Sequence, residues 1–492
     1  MLNPAPALLL SRELRAIESS AANISPCLME RAGAAAAELA TRLLGKRAGP
    51  VLVLAGPGNN GGDGFVLARC LRERGHAVHL ACQASAEQMP ADARTASQRW
   101  LAAGGEIHTD FADQPWALAV DALFGIGLSR PIDAAHAEWI ARFNALPCPR
   151  LALDLPSGLH ADTGQIIGPC VHASHTASFI ALKPGLFTLD GPDHCGEIHA
   201  FDLGLPPQPS TASLLTPACF ADWLRPRRRN THKGSYGSAG IIGGAAGMQG
   251  AAMLAARAAL HLGPGKVFLG LLEATSPGFD PGWPELILRN PGKIGSQVSA
   301  LAIGPGLGTE SRALALLREA LTYAGPLLLD ADALNLLATD EHLQAQCRER
   351  QIPNVITPHP LEAARLLGCD VAQVQADRNH AASTLAQQLN AACVLKGCGS
   401  IIASPDGRWW INPNGNPGMA SGGMGDALSG FIVALLAQGW PADAAALAAT
   451  HLHGAAADLL AAEGTGPVGL RASETLAPAR QIYNGWLRQS IS

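Results

Sequence analysis

The sequence has little of what marks a disulfide-stabilised, zinc-binding or membrane-spanning protein. Its eleven cysteines are scattered over 492 residues. None forms a Cys-x-x-Cys pair or a Cys/His spacing typical of zinc sites, and dispersed thiols fit a reducing compartment. Residues 1–10 carry no basic side chain, which argues against a signal peptide. The apolar run at 431–437 is far shorter than the ~20 residues of a membrane helix. We therefore expect a cytoplasmic protein without membrane partners.

Charged side chains are also scarce. They make up 15% of the chain, against 48% hydrophobic residues, and the net charge is −5. This balance argues against general nucleic-acid binding and favours large buried α/β cores. Four arginines between positions 225 and 229 form a local basic cluster, which we interpret as a solvated segment rather than a phosphate site.

Short apolar segments alternate with helical patterns along the chain. Residues 11–45 are predicted to be helical, and Val51–Ala55 is predicted to be a buried strand followed by a glycine-rich turn and a helix. Such alternation predicts α/β domains with parallel sheets, whose ligands bind at the carboxyl ends of strands. Because residues 205–213 are rich in proline and serine, they are interpreted as a linker. We predict one domain over residues 1–213 and another over residues 214–492.

The segment 56–64, after the first strand, is rich in glycine and polar residues. It fits G-x-G-x-x-G, but this is a weak dinucleotide signal, and the acid expected after the next strand is missing. It also holds Asn59, Asn60 and Asp63. Turns rich in Asn and Gly are common, but these three side chains among glycines at a strand end favour a binding site.

Polar residues also end two further predicted strands. Asp121 follows one, and Asp154 and Ser157 follow the next, so both groups are expected at the same sheet edge as Asn60. Carboxylate, amide and hydroxyl oxygens suit a hard cation better than zinc. Asp154 is placed to carry a proton. The alternative is that Asp154 caps the turn before Pro156.

The most distinctive motif of the second half lies at residues 416–430. A glycine-rich segment leads into a predicted helix, Ala427–Gln438, whose first N–H groups and dipole favour anions. A lone carboxylate at such a position is often only an N-cap. Three of the four residues before Asp426 are glycines, which an N-cap does not require. We therefore interpret Asp426 as a catalytic base beside a phosphate cradle.

Three other segments follow predicted strands of this half: Gly304–Gly308, Thr357–Pro360 and Lys396–Ser400. A histidine before proline is more often structural, and a Lys-Gly turn is often only a hairpin. Their shared location at strand ends favours a ligand groove. The chain has no Walker A motif, so helix N-termini and Lys396 are expected to hold phosphate.

The first-half motifs, residues 28–33, 59–64, 121–131 and 154–158, resemble the NAD(P)H-hydrate epimerase domain over about residues 10–205. The resemblance implies a Rossmann-like, three-layer α/β/α domain with Asp154 as a catalytic residue. It implies a potassium site formed by Asn60, Asp121 and Ser157. It also implies that the substrate is held by Asn59, Asn60, Gly61, Gly62, Asp63, Gly125, Ile126, Gly127, Leu128, Ser129, Arg130, Pro131 and Asp154.

The second-half motifs, residues 232–234, 243–244, 330–335, 357–360 and 414–430, resemble the ribokinase-like ADP- or ATP-dependent NAD(P)H-hydrate dehydratases over about residues 215–485. The resemblance implies that amides near Gly423 and Gly425 stabilise the transferring phosphoryl group. It implies a hydrate site of Ala251, Gly306, His359 and Asp426. It implies an ADP site of Lys396, Gly397, Cys398, Gly399, Ser400 and Gly425. Threonine is expected at the position of Ser400, which keeps a hydroxyl.

The two domains in one chain resemble bifunctional NAD(P)H-hydrate repair enzymes. The resemblance implies that the first domain interconverts the R and S hydrates. The second would dehydrate the S epimer with ADP as co-substrate. Potassium and magnesium are the expected cofactors, and a homo-oligomer without nucleic-acid partners is expected. A small-molecule kinase is an alternative for the second half, although the attached epimerase-like domain argues against it. A non-catalytic binding module is an alternative for the first half, against which the polar set around Asp154 argues.

Overall fold

The computed structural model describes residues 5–128, 131–273, 278–352 and 354–489. The chain divides into two compact units, one spanning Ala7–Ser210 and one that combines the residues before Ala7 with the chain from Thr211 onward. Among the described residues, no helix combines the length and apolar character needed to cross a membrane.

The described part of the first unit holds a short strand, β1 (Ala7–Leu8), and a separate sheet of seven parallel strands. The strands of this sheet are β2 (Val51–Ala55), β3 (Val78–Cys82), β4 (Ile107–His108), β5 (Leu118–Ala122), β6 (Arg150–Leu153), β7 (His175–Phe179) and β8 (Glu197–Phe201). The helices of the unit are α1 (Ser11–Ser20), α2 (Leu28–Leu44), α3 (Asn59–Glu73), α4 (Ala91–Ala102), α5 (Ala134–Asn144) and α6 (Gly191–Cys195). The sheet order is β4-β3-β2-β5-β6-β7-β8.

Strand β2 shows why this unit has three layers. All five of its residues are buried, as expected for a parallel strand covered on both faces. Val51, Val53 and Ala55 pack with residues of α2, α3 and α4. Leu52 and Leu54, which point to the opposite face, pack with residues of α5. The predicted parallel α/β architecture is confirmed.

Two local predictions for the first unit were wrong. The helical stretch predicted over residues 11–45 is two helices separated by residues 21–27, where Pro26 has no N–H to continue a helix. Residues 59–64, predicted as part of a loop, form the first turns of α3. Gly58 is extended and serves as the N-cap, so the polar residues that follow stand on a rigid helix end.

The second unit has a larger, mostly parallel sheet. Its strands are β9 (Ala212–Leu214), β10 (Ser238–Gly243), β11 (Lys266–Leu271), β12 (Ile287–Leu288), β13 (Ala300–Ile303), β14 (Leu327–Leu329), β15 (Asn354–Ile356), β16 (Ala391–Leu395), β17 (Ile401–Ala403) and β18 (Trp409–Ile411). Its helices are α7 (Gln249–Leu262), α8 (Ser311–Leu321), α9 (Asp332–Ala338), α10 (Glu341–Arg348), α11 (Pro360–Leu367), α12 (Val371–Ala376), α13 (Arg378–Leu389), α14 (Met424–Ala437), α15 (Ala442–Ala462) and α16 (Leu476–Gln489).

These strands follow the order β9-β18-β17-β16-β15-β14-β13-β10-β11-β12. Pairing is parallel from β10 through β16, and β17 is antiparallel to both of its neighbours. The carboxyl ends of β13, β14, β15 and β16 therefore meet at one edge. The segments that follow β13, β15 and β16 were predicted to form the ligand groove. The last residues of the predicted linker, from Ala212, belong instead to strand β9.

Helix α14 is the central helix of this unit. Every residue from Ala427 to Ala437 is buried, as expected for a helix that is apolar all round. At Gly430 an added Cβ would lie 2.1 Å from the carbonyl oxygen of Ala255, so only glycine allows α14 and α7 to pack this closely. The helix begins at Met424, three residues before the predicted start, and Asp426 therefore lies within its first turn.

Candidate active sites

A cavity of about 460 Å³ lies at the carboxyl edge of the first sheet. The predicted substrate residues that line it are Asn59, Asn60, Asp63, Gly125, Ile126, Gly127, Leu128 and Asp154. Gly61, Gly62 and Pro131, although described, are not among its lining residues. Ser129 and Arg130 lie outside the described residues. The sheet thus brings three separate sequence motifs to one cavity.

At this cavity, Asp154 has a strained backbone conformation, and its carboxylate is held by a hydrogen bond and an ion pair. Its φ of 66° lies in the left-handed region that side chains other than glycine rarely adopt. One carboxylate oxygen accepts a hydrogen bond from the Ile126 N–H at 3.2 Å, and the other forms an ion pair with Lys183. The backbone and both carboxylate oxygens of Asp154 are therefore fixed before a ligand binds.

Lys183 is the partner that fixes Asp154. Its side chain is only 1% exposed, and its ammonium also donates to Ser178 Oγ at 3.1 Å and to the Phe179 carbonyl at 2.8 Å. The ion pair and these two hydrogen bonds hold the ammonium of Lys183, and with it the carboxylate of Asp154, in a fixed position at the cavity.

A second acid, Asp63, also lines the cavity. Loss of solvation, together with the charges of Asp154 and Glu18, raises its pKa well above the ordinary value, although Lys183 opposes the shift. Asp63 consequently keeps its proton to higher pH than an exposed aspartate. The cavity therefore combines an ion-paired carboxylate with a carboxyl group that retains its proton.

The predicted cation ligands form a buried polar group. The carboxylate of Asp121 accepts hydrogen bonds from Ser157 Oγ at 2.7 Å and from the Ser157 N–H at 2.8 Å. Burial raises the pKa of Asp121 to about 6. Within the described chain, neither side-chain atom of buried Asn60 has a hydrogen-bond partner. An amide without a hydrogen-bond partner and a buried carboxylate supply the kinds of oxygen ligand that a hard cation prefers.

In the second unit, an ion pair joins the ends of β14 and β16. Lys396 Nζ lies 2.9 Å from Asp330 Oδ1 and 3.9 Å from Glu362 Oε2. The other oxygen of Asp330 accepts a 2.6 Å hydrogen bond from Ser429, one turn along α14 from Asp426. Burial lowers the pKa of Lys396, but the charges of Asp330 and Glu362 outweigh it and raise that pKa overall. Lys396 is therefore a fixed cation at the predicted phosphate site.

Asp426 belongs to the same cluster. Burial and the charge of Asp330 raise its pKa to about 6, while Lys396 opposes the shift. The N-cap of α14 is Gly423, which has no side chain to occupy the first N–H groups. At Gly425, an added Cβ would lie 3.3 Å from Lys396 Nζ. The first turn of α14 thus presents uncapped amides and a carboxylate with a raised pKa beside the Lys396 cation.

His359 caps helix α11. Its Nδ1 accepts hydrogen bonds from the N–H groups of Leu361 at 3.1 Å and Glu362 at 3.4 Å. Its Nε2 lies 3.2 Å from Glu362, which also contacts Lys396. Partial burial and the charge of Lys396 lower the pKa of the ring, so the neutral imidazole dominates near pH 7. The structure gives His359 a capping role and links it to the Lys396 cluster.

The remaining predicted residues lie on neighbouring turns. A Cβ added at Gly306, whose φ is 57°, would lie 3.3 Å from the Ala251 side chain, so these two residues adjoin. Ser400 Oγ donates to the Gly397 carbonyl at 3.0 Å and closes the Lys396–Ser400 turn. Gly397 packs against the guanidinium of buried Arg378, leaving no room for a side chain.

Sequence reasoning missed four of these residues: Lys183, Glu362, Ser429 and Arg378. Lys183 follows strand β7 in a Lys-Pro-Gly turn, and that strand-end position was a usable signal. Glu362 occupies the third position of α11 after His359, which is a capping-box spacing. Ser429 and Arg378 lie within helical patterns that carry no local signal of a site.

Two family models match separate parts of the chain. A model described as YjeF-related protein N-terminus matches residues 25–185, and one described as NAD(P)H-hydrate dehydratase matches residues 239–476.

Curated relatives match nearly the whole chain. The bifunctional NAD(P)H-hydrate repair enzyme Nnr of Escherichia coli (strain K12) is 41% identical, over 93% of this chain and 89% of the relative. The bifunctional NAD(P)H-hydrate repair enzyme of Leishmania braziliensis is 39% identical, over 95% of this chain and 91% of the relative. The similarity therefore covers both units.

A solved structure matches one unit. The Bacillus subtilis ADP/ATP-dependent NAD(P)H-hydrate dehydratase, co-crystallised with ATP and Mg²⁺, is 33% identical with a TM-score of 0.50. The match covers 55% of this chain and 97% of that one.

Proposed function

The chain belongs to the family of bifunctional NAD(P)H-hydrate repair enzymes, and we propose that its two units divide the reactions between them. The unit over Ala7–Ser210 epimerises the R and S hydrates of NADH and NADPH. The unit from Thr211 onward dehydrates the S epimer with ADP. The predicted domains, 1–213 for the epimerase and 214–492 for the dehydratase, remain part of this proposal. We further propose a cytoplasmic homo-oligomer.

The observation that best supports dehydration is the carboxyl group of Asp426, which has a pKa of about 6 and lies beside the Lys396–Asp330 ion pair. Water loss from the hydrate requires removal of a ring proton and departure of a hydroxyl, which is a poor leaving group. Asp426 acts as the base, and phosphoryl transfer from the nucleotide activates the hydroxyl. Lys396 and the first amides of α14 stabilise the transferring group. Ala251, Gly306 and His359 line the hydrate site.

The nucleotide occupies the turn Lys396–Ser400 together with Gly425. Support comes from the uncapped α14 N-terminus and from the related dehydratase that was co-crystallised with ATP and Mg²⁺. Magnesium, with which that dehydratase was co-crystallised, would supply positive charge to the nucleotide phosphates, its usual partners in such sites.

For epimerisation, Asp154 accepts and returns a proton of the substrate, and its ion pair with Lys183 orients its carboxylate. The amide, carboxylate and hydroxyl of Asn60, Asp121 and Ser157 fit potassium, because the Asn60 side chain lacks a partner within the described chain. A bound cation supplies positive charge that balances the buried Asp121. Residues 59–63, at the start of α3, and the segment 125–131 hold the dinucleotide.

A mixture of hydrate epimers, supplied with ADP or ATP, tests this function directly. Recovery of all the reduced nicotinamide absorbance with ADP supports both activities and the proposed nucleotide. Recovery of only the S fraction contradicts epimerisation. A stable phosphorylated product from the isolated second half would instead support the kinase alternative.

The pH dependence of dehydration tests the role of Asp426. Because a base must be ionised, kcat/KM is expected to fall about tenfold per pH unit below its pKa of about 6. Rates measured from pH 5 to 8 at constant ionic strength provide the profile. A profile flat down to pH 5, as an ordinary aspartate would give, contradicts a base with this raised pKa.

Potassium activation tests the cation site. In Asn60→Ala, the half-saturating potassium concentration for epimerisation is expected to rise about tenfold or more. Since Asn60 makes no side-chain hydrogen bond within the described chain, the stability of the unit should change little. Dehydration by the same protein serves as the control reaction. Equal potassium curves for the wild type and Asn60→Ala would reject the site.

A further inference from the structure

Three metal-ligating side chains meet at the outer edge of the first sheet. Strand β8 is the edge strand and pairs in parallel with β7, so that His175 lies opposite Glu197. His199 follows Glu197 by two residues and therefore projects to the same face of β8. None of the three lines the substrate cavity. Within the described residues, this is the single group of three His, Cys, Asp or Glu residues whose ligand atoms all lie within 4.8 Å of one another.

The separations between the ligand atoms match those around a tetrahedral ion. His175 Nδ1 and His199 Nε2 are 3.4 Å apart. Glu197 Oε2 lies 3.8 Å from His175 Nδ1, and Glu197 Oε1 lies 3.6 Å from His199 Nε2. Metal–ligand bonds of about 2.0–2.1 Å at tetrahedral angles place ligands about 3.3 Å apart. One oxygen of Glu197 and one nitrogen of each histidine, all within 4.8 Å of one another, are therefore spaced to share one ion after side-chain adjustment.

Direct contacts among the three residues explain their arrangement less well than a shared metal ion does. Each separation exceeds the usual 2.7–3.2 Å range of a hydrogen bond. The hydrogen bond between the two ring nitrogens is long, at 3.4 Å, and both ion pairs with Glu197 are longer still.

We propose that His175, Glu197 and His199 bind a zinc ion that joins edge strand β8 to β7. Two imidazoles and one carboxylate form a ligand set that zinc accepts, with water as the fourth ligand. Glu197 is 69% exposed, which leaves room for that water. An ion here stabilises an edge strand that has a neighbour on only one side within its sheet.

Zinc titration of the tag-free, full-length protein tests the proposal. After chelator treatment and dialysis, zinc is titrated in competition with a chromogenic chelator. The wild type is expected to take up about one ion per chain with high affinity. His175→Ala with His199→Ala, and separately Glu197→Gln, should weaken this binding by about 100-fold and about tenfold respectively. Cobalt in the same site should give the intense visible spectrum of tetrahedral coordination.

The control is His108→Ala. His108 stacks on His79 with ring centroids 4.0 Å apart, on strands at the opposite side of the same sheet, and should bind zinc like the wild type. Retained epimerisation and dehydration in each metal-free variant show that the variant is folded. Zinc should raise the Tm of the wild type but not that of the double variant. Equal zinc uptake by the double variant and the wild type, or no uptake by the wild type, overturns the proposal.

Discussion

Asp426→Asn is expected to lower kcat for ADP-dependent dehydration by about 10²–10⁴-fold, the usual contribution of a general base. Asparagine keeps the size of the side chain but cannot accept the proton. Lys396 and the α14 amides, which are proposed to hold the nucleotide, remain in place, so ADP affinity should change little. Hydrate turnover measured by nicotinamide absorbance, together with ADP binding by calorimetry, separates these two effects.

Asp443→Asn is the matched control for this substitution. Asp443 lies in the first turn of the next helix, α15, and pairs with Arg408 at 3.2 Å. This variant should dehydrate the hydrate like the wild type. Epimerisation by the Asp426→Asn chain reports that the protein is intact. Unchanged dehydration by Asp426→Asn would exclude Asp426 as the base.

Asp154→Asn is expected to abolish epimerisation and leave dehydration of the S epimer unchanged. The substitution also leaves Lys183 as a buried cation without its anion, which destabilises a fold by about 3–5 kcal/mol. Loss of activity alone would therefore not separate catalysis from folding. The double variant Asp154→Asn/Lys183→Met removes both charges and should recover most of the stability without recovering epimerisation.

Epimer interconversion is followed by chromatography, and stability by denaturant unfolding. Asp110→Asn is the control, since Asp110 is exposed and pairs with Arg142 within the same unit. It should epimerise like the wild type. Epimerisation restored in the double variant would show that Asp154 has only a structural role. Wild-type turnover by Asp154→Asn would reject its assignment altogether.

The sequence determined the fold class, the family and the positions of most candidate residues. Alternating apolar strands and helices predict parallel sheets, and such sheets gather ligands at the carboxyl ends of their strands. Asn60 and Asp154 were therefore expected at one sheet edge, and Lys396 was expected at a ligand groove. Local patterns carry this information because a strand and the turn that follows it are contiguous in the chain.

The tertiary structure alone decided which groups touch and how they titrate. Lys183 reaches Asp154 across 29 residues, and Ser429 reaches Asp330 across 99. Those partners are set by strand order and helix packing. The raised pKa of Asp426 results from burial and from the charge of Asp330. A local sequence pattern shows neither these contacts nor the raised pKa. Desolvation and charge act through space, between segments that are far apart in the sequence and become neighbours only in the folded protein.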